Sequence, residues 1–246
     1  VTEVTRSDQR IPGSFDFGSD EAIPGSRSAT DPDRLLPRGR HDLPREFIAR
    51  TQRDRLIDAM ARTVAEKGYA GTSLGDVCGS AGVSTRAFYE HFADKETCFL
   101  AAFDRGVGLL QGAVAGAYGR SAPWPERMHR GLDTLLRILA AEPAFAALAV
   151  VEVMAAGPAA RARRRLLLDA FEVFFSDSPR AAEVPEPPPG VVHAVIAGVY
   201  GVIYDFVSTG RADELPAQLP DLTYLVVVPY IGPAAAVRAA AEPVEE

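Results

Sequence analysis

The sequence is poor in cysteine, in histidine and in long uncharged apolar runs, and each shortage excludes a class of protein. Cys78 and Cys98 are the two cysteines in 246 residues. They cannot build a disulfide framework, and they fit a reducing compartment. The four histidines, His41, His91, His129 and His193, include no pair at helical metal-ligand spacing. No glycine-rich phosphate loop and no nucleophile elbow occur. No metal, no cofactor and no enzymatic activity are therefore expected. The first residues, Val1 to Arg10, are polar and charged, so they contain no apolar signal core. The longest apolar stretch, Val191–Val207, is interrupted by His193 and Asp205. No run reaches the roughly 18 uncharged residues of a membrane span. The expectation is a cytoplasmic protein without a membrane partner.

Positive charge is also in short supply: 26 Lys and Arg stand against 33 Asp and Glu, a net charge of −7. That balance counts against a protein that coats nucleic acid nonspecifically. Its distribution is uneven, however. Residues 34–62 hold eight Arg against four acidic residues, whereas residues 101–246 are net −5.

What the chain does have is apolar surface: 47% of its residues are hydrophobic, enough for one large or two ordinary cores. Residues 1–44 are rich in Pro, Gly, Ser and Asp and show no period, which predicts a disordered extension with an Arg-rich end. From Arg45 onward apolar residues recur at helical spacing and no period-two runs appear. The expected fold is all-α, with about nine helices. Residues 45–100 form one unit and residues 101–246 a second, larger one.

The first unit contains the chemistry. Leu56, Ile57, Met60, Ala61 and Val64 define one face of a helix that ends near Lys67-Gly68. Ser73 followed by Asp76 has capping-box spacing and starts a second helix. Ala81-Gly82-Val83 is a tight turn, and Ser84 caps a third helix over about Thr85 to His91. Two short helices around a tight turn make a helix-turn-helix. The first turn of the second of these, Ser84-Thr85-Arg86-Ala87, supplies the residue types that read base edges in a major groove. Thr72, Ser73, Tyr89, His91 and Lys95 ring it as candidate phosphate contacts. Arg38 and Arg40 precede the unit and are candidates for an arm in the adjacent minor groove.

The runs Gly68-Tyr69-Ala70-Gly71-Thr72-Ser73-Leu74, Ala81-Gly82-Val83-Ser84 and Phe88-Tyr89-Glu90-His91-Phe92-Ala93-Asp94-Lys95-Glu96 together resemble the TetR/AcrR family of bacterial regulators. The resemblance is dense over residues 50–100. It implies a three-helix DNA-binding domain followed by a helical ligand-binding and dimerisation domain. It also implies phosphate contacts at Tyr89, His91 and Lys95, and base contacts at Thr85 and Arg86. Cys78 departs from the small Ala usual there, and Gly75 and Gly79 predict a loosened second helix.

The second unit carries many aromatic and flexible apolar residues. Phe103, Trp124, Met128, Met154, Phe171, Phe175, His193 and Tyr200 are candidates for an apolar effector pocket. Val191–Val207 is apolar nearly all round, so it is expected to bury one side in its own subunit and one in a partner. Val192, Ile196, Val199, Ile203, Leu222, Leu225 and Val226 are the candidate dimer contacts. The expected partners are double-stranded operator DNA, a small-molecule effector and a second copy of the chain. The functional expectation is a repressor on an inverted repeat, released by a largely apolar effector and nucleoid-associated when bound. The alternatives are a helical small-molecule binder with little DNA affinity and a cysteine redox sensor.

Overall fold

A computed structural model describes residues 22–27, 44–179 and 181–241. Every regular element among them is helical. The order is α1 (Arg45–Gly71), α2 (Leu74–Ala81), α3 (Thr85–His91), α4 (Lys95–Tyr118), α5 (Trp124–Ala141) and α6 (Pro143–Ala146). After α6 come a π turn (Ala147–Val151) and a 3₁₀ turn (Glu152–Met154). The chain continues through α7 (Pro158–Ala170), a 3₁₀ turn (Phe171–Phe175), α8 (Val191–Ser208) and a 3₁₀ segment (Ala212–Gln218). It ends in α9 (Leu219–Ile231) and α10 (Pro233–Ala241).

The local signals explain most boundaries. Ser73 accepts a hydrogen bond from the Asp76 N–H and Asp76 returns one to the Ser73 N–H, which completes the box at the start of α2. Ser84 accepts from the Ala87 N–H, and Asp94 with Thr97 forms a second reciprocal box at the start of α4. Gly82 turns the chain between α2 and α3 in the left-handed region, at φ 60° and ψ 36°, where a side chain would be strained. The second helix, expected to be loose, is thus closed at both ends. Toward the C-terminus one expected helix is two, because Gly232 (φ 76°) stops α9 and Pro233 starts α10.

The N-terminal extension requires a correction. Residues 22–27 are packed rather than free. Ser26 N–H closes a turn on the Ile23 carbonyl at 3.1 Å, and Gly25 N–H donates to Asp58 Oδ1 on α1 at 3.1 Å. The Arg62 guanidinium donates to the Arg27 carbonyl. Ile23 is 1% exposed and belongs to the main hydrophobic core. Segment-average composition misses this, because one isoleucine in a polar stretch is enough to fill a hole offered by other helices. Arg38 and Arg40 lie outside the described residues.

Helix α4 leaves the helix-turn-helix unit and packs on both α1 and α5, so it belongs to both units. By length and mean hydropathy α4 and α8 could each cross a membrane, contrary to the expectation from uncharged runs. Each tolerates a few charges, Asp104 and Arg105 in one and Asp205 in the other, that an uncharged-run test rejects. Here both pack within the helical bundle.

Candidate nucleic-acid interface and effector cavity

Helix α3 presents the surface the sequence predicts for base contact. Phe88 and Phe92 face the core, which turns the opposite side of the helix outward. Ser84, Thr85 and Arg86 are exposed and Ala87 is half-buried. The Arg86 side chain is 94% exposed, and its one ion-pair contact, to Glu90 at 3.9 Å, is long and solvated. Such a pair is worth little, so the guanidinium is available to another acceptor. Tyr89 is 59% exposed beside it.

The expected phosphate ring divides. Tyr89 is open, and half-buried His91 places Nε2 3.2 Å from Gln52 Oε1. Burial lowers the His91 pKa, opposed by Glu90 and aided by the nearby Arg53 charge. Ser73 is exposed, but the anion position at the start of α2 already holds the Asp76 carboxylate. Hydrogen bonds from Lys67 and Ser73 keep that carboxylate well below the usual range.

Two expectations are corrected. Thr72 is 2% exposed, and its hydroxyl donates inward to the Thr63 and Gly68 carbonyls at 3.1 and 2.7 Å. Lys95 donates to the Tyr69 and Thr72 carbonyls at 2.8 and 2.9 Å, with its ammonium 4.1 Å from the Tyr69 ring centroid. Lys95 therefore satisfies carbonyls at the end of α1 and ties it to α4. Both residues act inside the unit.

Further contacts lock this unit to the second one. Glu152 accepts from the Tyr69 N–H at 2.6 Å, just past Gly68, where the backbone leaves helical geometry. Asp54 of α1 pairs with Arg105 of α4 at 2.6 Å, and Asp104 of α4 pairs with Arg163 of α7 at 2.7 Å. These charges lie far apart in sequence, and no local pattern announces their pairing.

The second unit contains a partly open cavity of about 110 Å³, lined almost wholly by apolar side chains from α4, α5, α7, α8, α9 and the irregular turns. The turns shape it. Ala149 and Val150 of the π turn face it, and the Tyr200 hydroxyl donates to the Val150 carbonyl at 2.5 Å. Phe171, Phe174 and Phe175, in the 3₁₀ turn after α7, form another wall. The Phe174 carbonyl accepts from both Trp124 Nε1 and the Tyr118 hydroxyl, at 2.8 and 3.1 Å.

Of the expected pocket residues, Met128, Phe171, Phe175 and Tyr200 line this space. The others do not. Phe103 is core, and Trp124 stands behind Phe175 with ring centroids 6.1 Å apart. Met154 is 44% exposed, and His193 is on the outer face of α8. Leu110, Val114, Leu135, Leu139, Leu167, Leu168 and Val195 complete much of the wall, and the sequence reading did not single them out.

Five of the seven expected dimer contacts face inward. Ile196, Val199, Ile203 and Val226 line the cavity, and Leu222 is buried. The outward face of α8 carries Ala194, Ala197, Gly201 and Tyr204, beside Tyr224 and the expected Leu225 of α9, with the expected Val192 half-buried at one end. Both thiols are buried. Desolvation raises the Cys98 pKa strongly and that of Cys78 less, where a Thr85 hydrogen bond opposes it. A redox-sensing cysteine needs the reverse shift.

Residues 56–102 match the family model described as bacterial regulatory proteins, tetR family. That span is similar to the N-terminal unit of TetR-family regulators. The matched span begins at the buried face of α1 and ends in the second turn of α4. A Bacillus subtilis relative, an uncharacterized HTH-type transcriptional regulator called YerO, is 34% identical over 58 residues. That alignment covers 24% of this chain and about a fifth, 20%, of the relative's length.

Solved structures match over more of the chain. FadR from B. subtilis in complex with stearoyl-CoA aligns with a TM-score of 0.62 at 18% identity, covering 71% of this chain and 97% of that one. FadR from Bacillus halodurans aligns at 0.61 and 17% identity, covering 72% and 94%. A γ-butyrolactone receptor, an ArpA-like protein, aligns at 0.58 and 20% identity, covering 79% and 96%. At these identities the likeness establishes the fold. It extends beyond the residues matched by the family model into the helices that enclose the cavity.

Proposed function

We propose that this protein is a cytoplasmic, ligand-responsive DNA-binding regulator that acts as a repressor on an inverted-repeat operator. The observation that carries the reading is the exposed first turn of α3, capped by Ser84 and held outward by buried Phe88 and Phe92. Thr85 and Arg86 read base edges there, assisted by Ser84 and Ala87. Tyr89 and His91 contact the backbone as hydrogen-bond partners.

The outward faces of α8 and α9 pair with a second copy. Small Ala194, Ala197 and Gly201 allow close approach, and Tyr204, Tyr224 and Leu225 supply apolar area. The cavity takes a small, largely apolar effector. Two proteins of this fold supply support, since FadR is described with stearoyl-CoA and the ArpA-like protein as a γ-butyrolactone receptor.

Helix α4 is the connection between the two activities. It contributes Leu110 and Val114 to the cavity and, through Arg105, holds Asp54 of α1. An effector that favours one placement of α4 shifts the separation of the two α3 helices. DNA and effector then weaken each other's binding by the same factor. The test is titration of DNA flanking the coding sequence with the protein and with Arg86→Ala. The expected loss is roughly 1–3 kcal/mol, concentrated at one base position. An even loss over all sequences would instead make Arg86 a phosphate contact.

A further inference from the structure

We infer that the effector is an anionic amphiphile, whose apolar tail fills the cavity and whose negative head is held by Arg164. This rests on the reading of the cavity as the effector site and adds the chemistry of its mouth.

Helix α7 carries a run of three arginines, Arg163 to Arg165, with Arg161 one turn earlier, and they are placed differently. Arg161 reaches the Met154 carbonyl at 3.3 Å. Arg163 makes a two-oxygen contact with Asp104 at 2.7 and 3.0 Å. Arg165 points to solvent. Arg164 alone of the four turns toward the cavity side of the helix. It lies one turn before Leu167 and Leu168 and two turns before Phe171, three residues of the wall. Its guanidinium sits 4.1 Å from the ring centroid of Tyr200, another wall residue.

Arg164 is half-buried, its Nε is enclosed without a hydrogen-bond partner, and among the described residues no carboxylate pairs with it. The guanidinium is partly stabilised by the aromatic face and by a hydrogen bond to the Tyr200 hydroxyl, and its remaining N–H groups can take further oxygen acceptors. Arg127 stands near Tyr118 on another part of the wall, 4.7 Å from that ring, but Asp177 neutralises it at 2.6 Å. The cavity therefore has an apolar body and, against its wall residue Tyr200, a positive group that no carboxylate among the described residues pairs with. A carboxylate or a phosphate on an aliphatic chain matches both features, and guanidinium pairs well with either head.

Trp124 is the single tryptophan and stacks on the cavity wall through Phe175, so its emission reports occupancy. The experiment titrates the full chain with dodecanoate, dodecyl phosphate and dodecanol, all below micelle formation. The anionic probes are expected to bind about tenfold or more tightly than the alcohol. Arg164→Met, which keeps an apolar stem against Tyr200, is expected to remove that preference and leave dodecanol affinity unchanged. Arg165→Met is expected to keep it.

Either order of carboxylate and phosphate supports the proposal and identifies the head as free acid or phosphoester. Equal binding of alcohol and acid, or equal effects of the two Met variants, overturns the head assignment while the apolar cavity stands. If no probe perturbs Trp124, both fall. Selective anion binding that leaves DNA affinity unchanged sustains the assignment and refutes the effector role.

Discussion

Gly106→Ala tests the packing at the joint between the two units, and two other glycines on the same helix supply its controls. Gly106 lies in the middle of α4 and is buried. A Cβ placed there would overlap three atoms of the Phe145 ring on α6, each closer than 3.0 Å. Phe145 is fully buried, so the ring has no solvent to move into. Overpacking of this kind costs about 1–3 kcal/mol. Against it stands the helix preference of Ala over Gly, up to ~1 kcal/mol.

The expected net effect is a loss of about 1–2 kcal/mol, or roughly 2–8 °C in melting temperature for a domain of this size. Gly108 and Gly112 have nothing within 4 Å of an added Cβ. Ala at either should stabilise by up to ~1 kcal/mol, because only the propensity term remains. Denaturant melts of the three variants give the comparison directly. In a Phe145→Leu background the Gly106→Ala penalty should vanish, which shows as a coupling of about 1 kcal/mol or more. Stabilisation by Gly106→Ala equal to that of Gly108→Ala would refute the close packing of α4 on α6.

Two other predictions concern the buried junction under α1. Burial, and then the Asp58 charge, push the Glu142 pKa up to about 7 from an ordinary 4.5. The native state therefore binds more protons between those values. Its contribution is fully present below the unfolded pKa and is lost as pH rises through about 7. Partial solvent contact limits the effect to about 1–2 kcal/mol. Melts at about pH 5 and about pH 8 should show wild type losing that stability relative to Glu142→Gln; parallel slopes would contradict the assignment. Ile23→Asp should undock residues 22–27, with roughly 1.5–3 kcal/mol of apolar burial at stake. Limited proteolysis should then cut at that turn faster than in wild type, and an unchanged rate would show that Ile23 does not hold it.

The caps were legible because they are local. Ser73 with Asp76 and Ser84 with Ala87 each close within three residues, so spacing alone places α2 and α3. The exposure of Arg86 and Tyr89 was legible for a related reason, since a short helix with two buried phenylalanines has its other face outside. The roles of Thr72 and Lys95 were not, because they depend on how α4 approaches the end of α1 across more than twenty residues. On α8, Ile196, Val199 and Ile203 share one helical face, but apolar period does not say whether that face meets a cavity or a partner. The wall aromatics were half legible: composition marks Phe171 and Phe175, but not the 3₁₀ turn that aims them. Arg164 reads as one more charge in a basic run until its neighbours, Arg163 on Asp104 and Arg165 in solvent, are seen to differ.

In the proposed assembly two copies place their α3 helices on DNA as a symmetric pair. Footprinting of the DNA flanking the coding sequence tests this most directly. Two protected half-sites related by a dyad are expected, centred about one helical turn or a multiple apart. Absence of protection at moderate salt, or a single unpaired half-site, would contradict it.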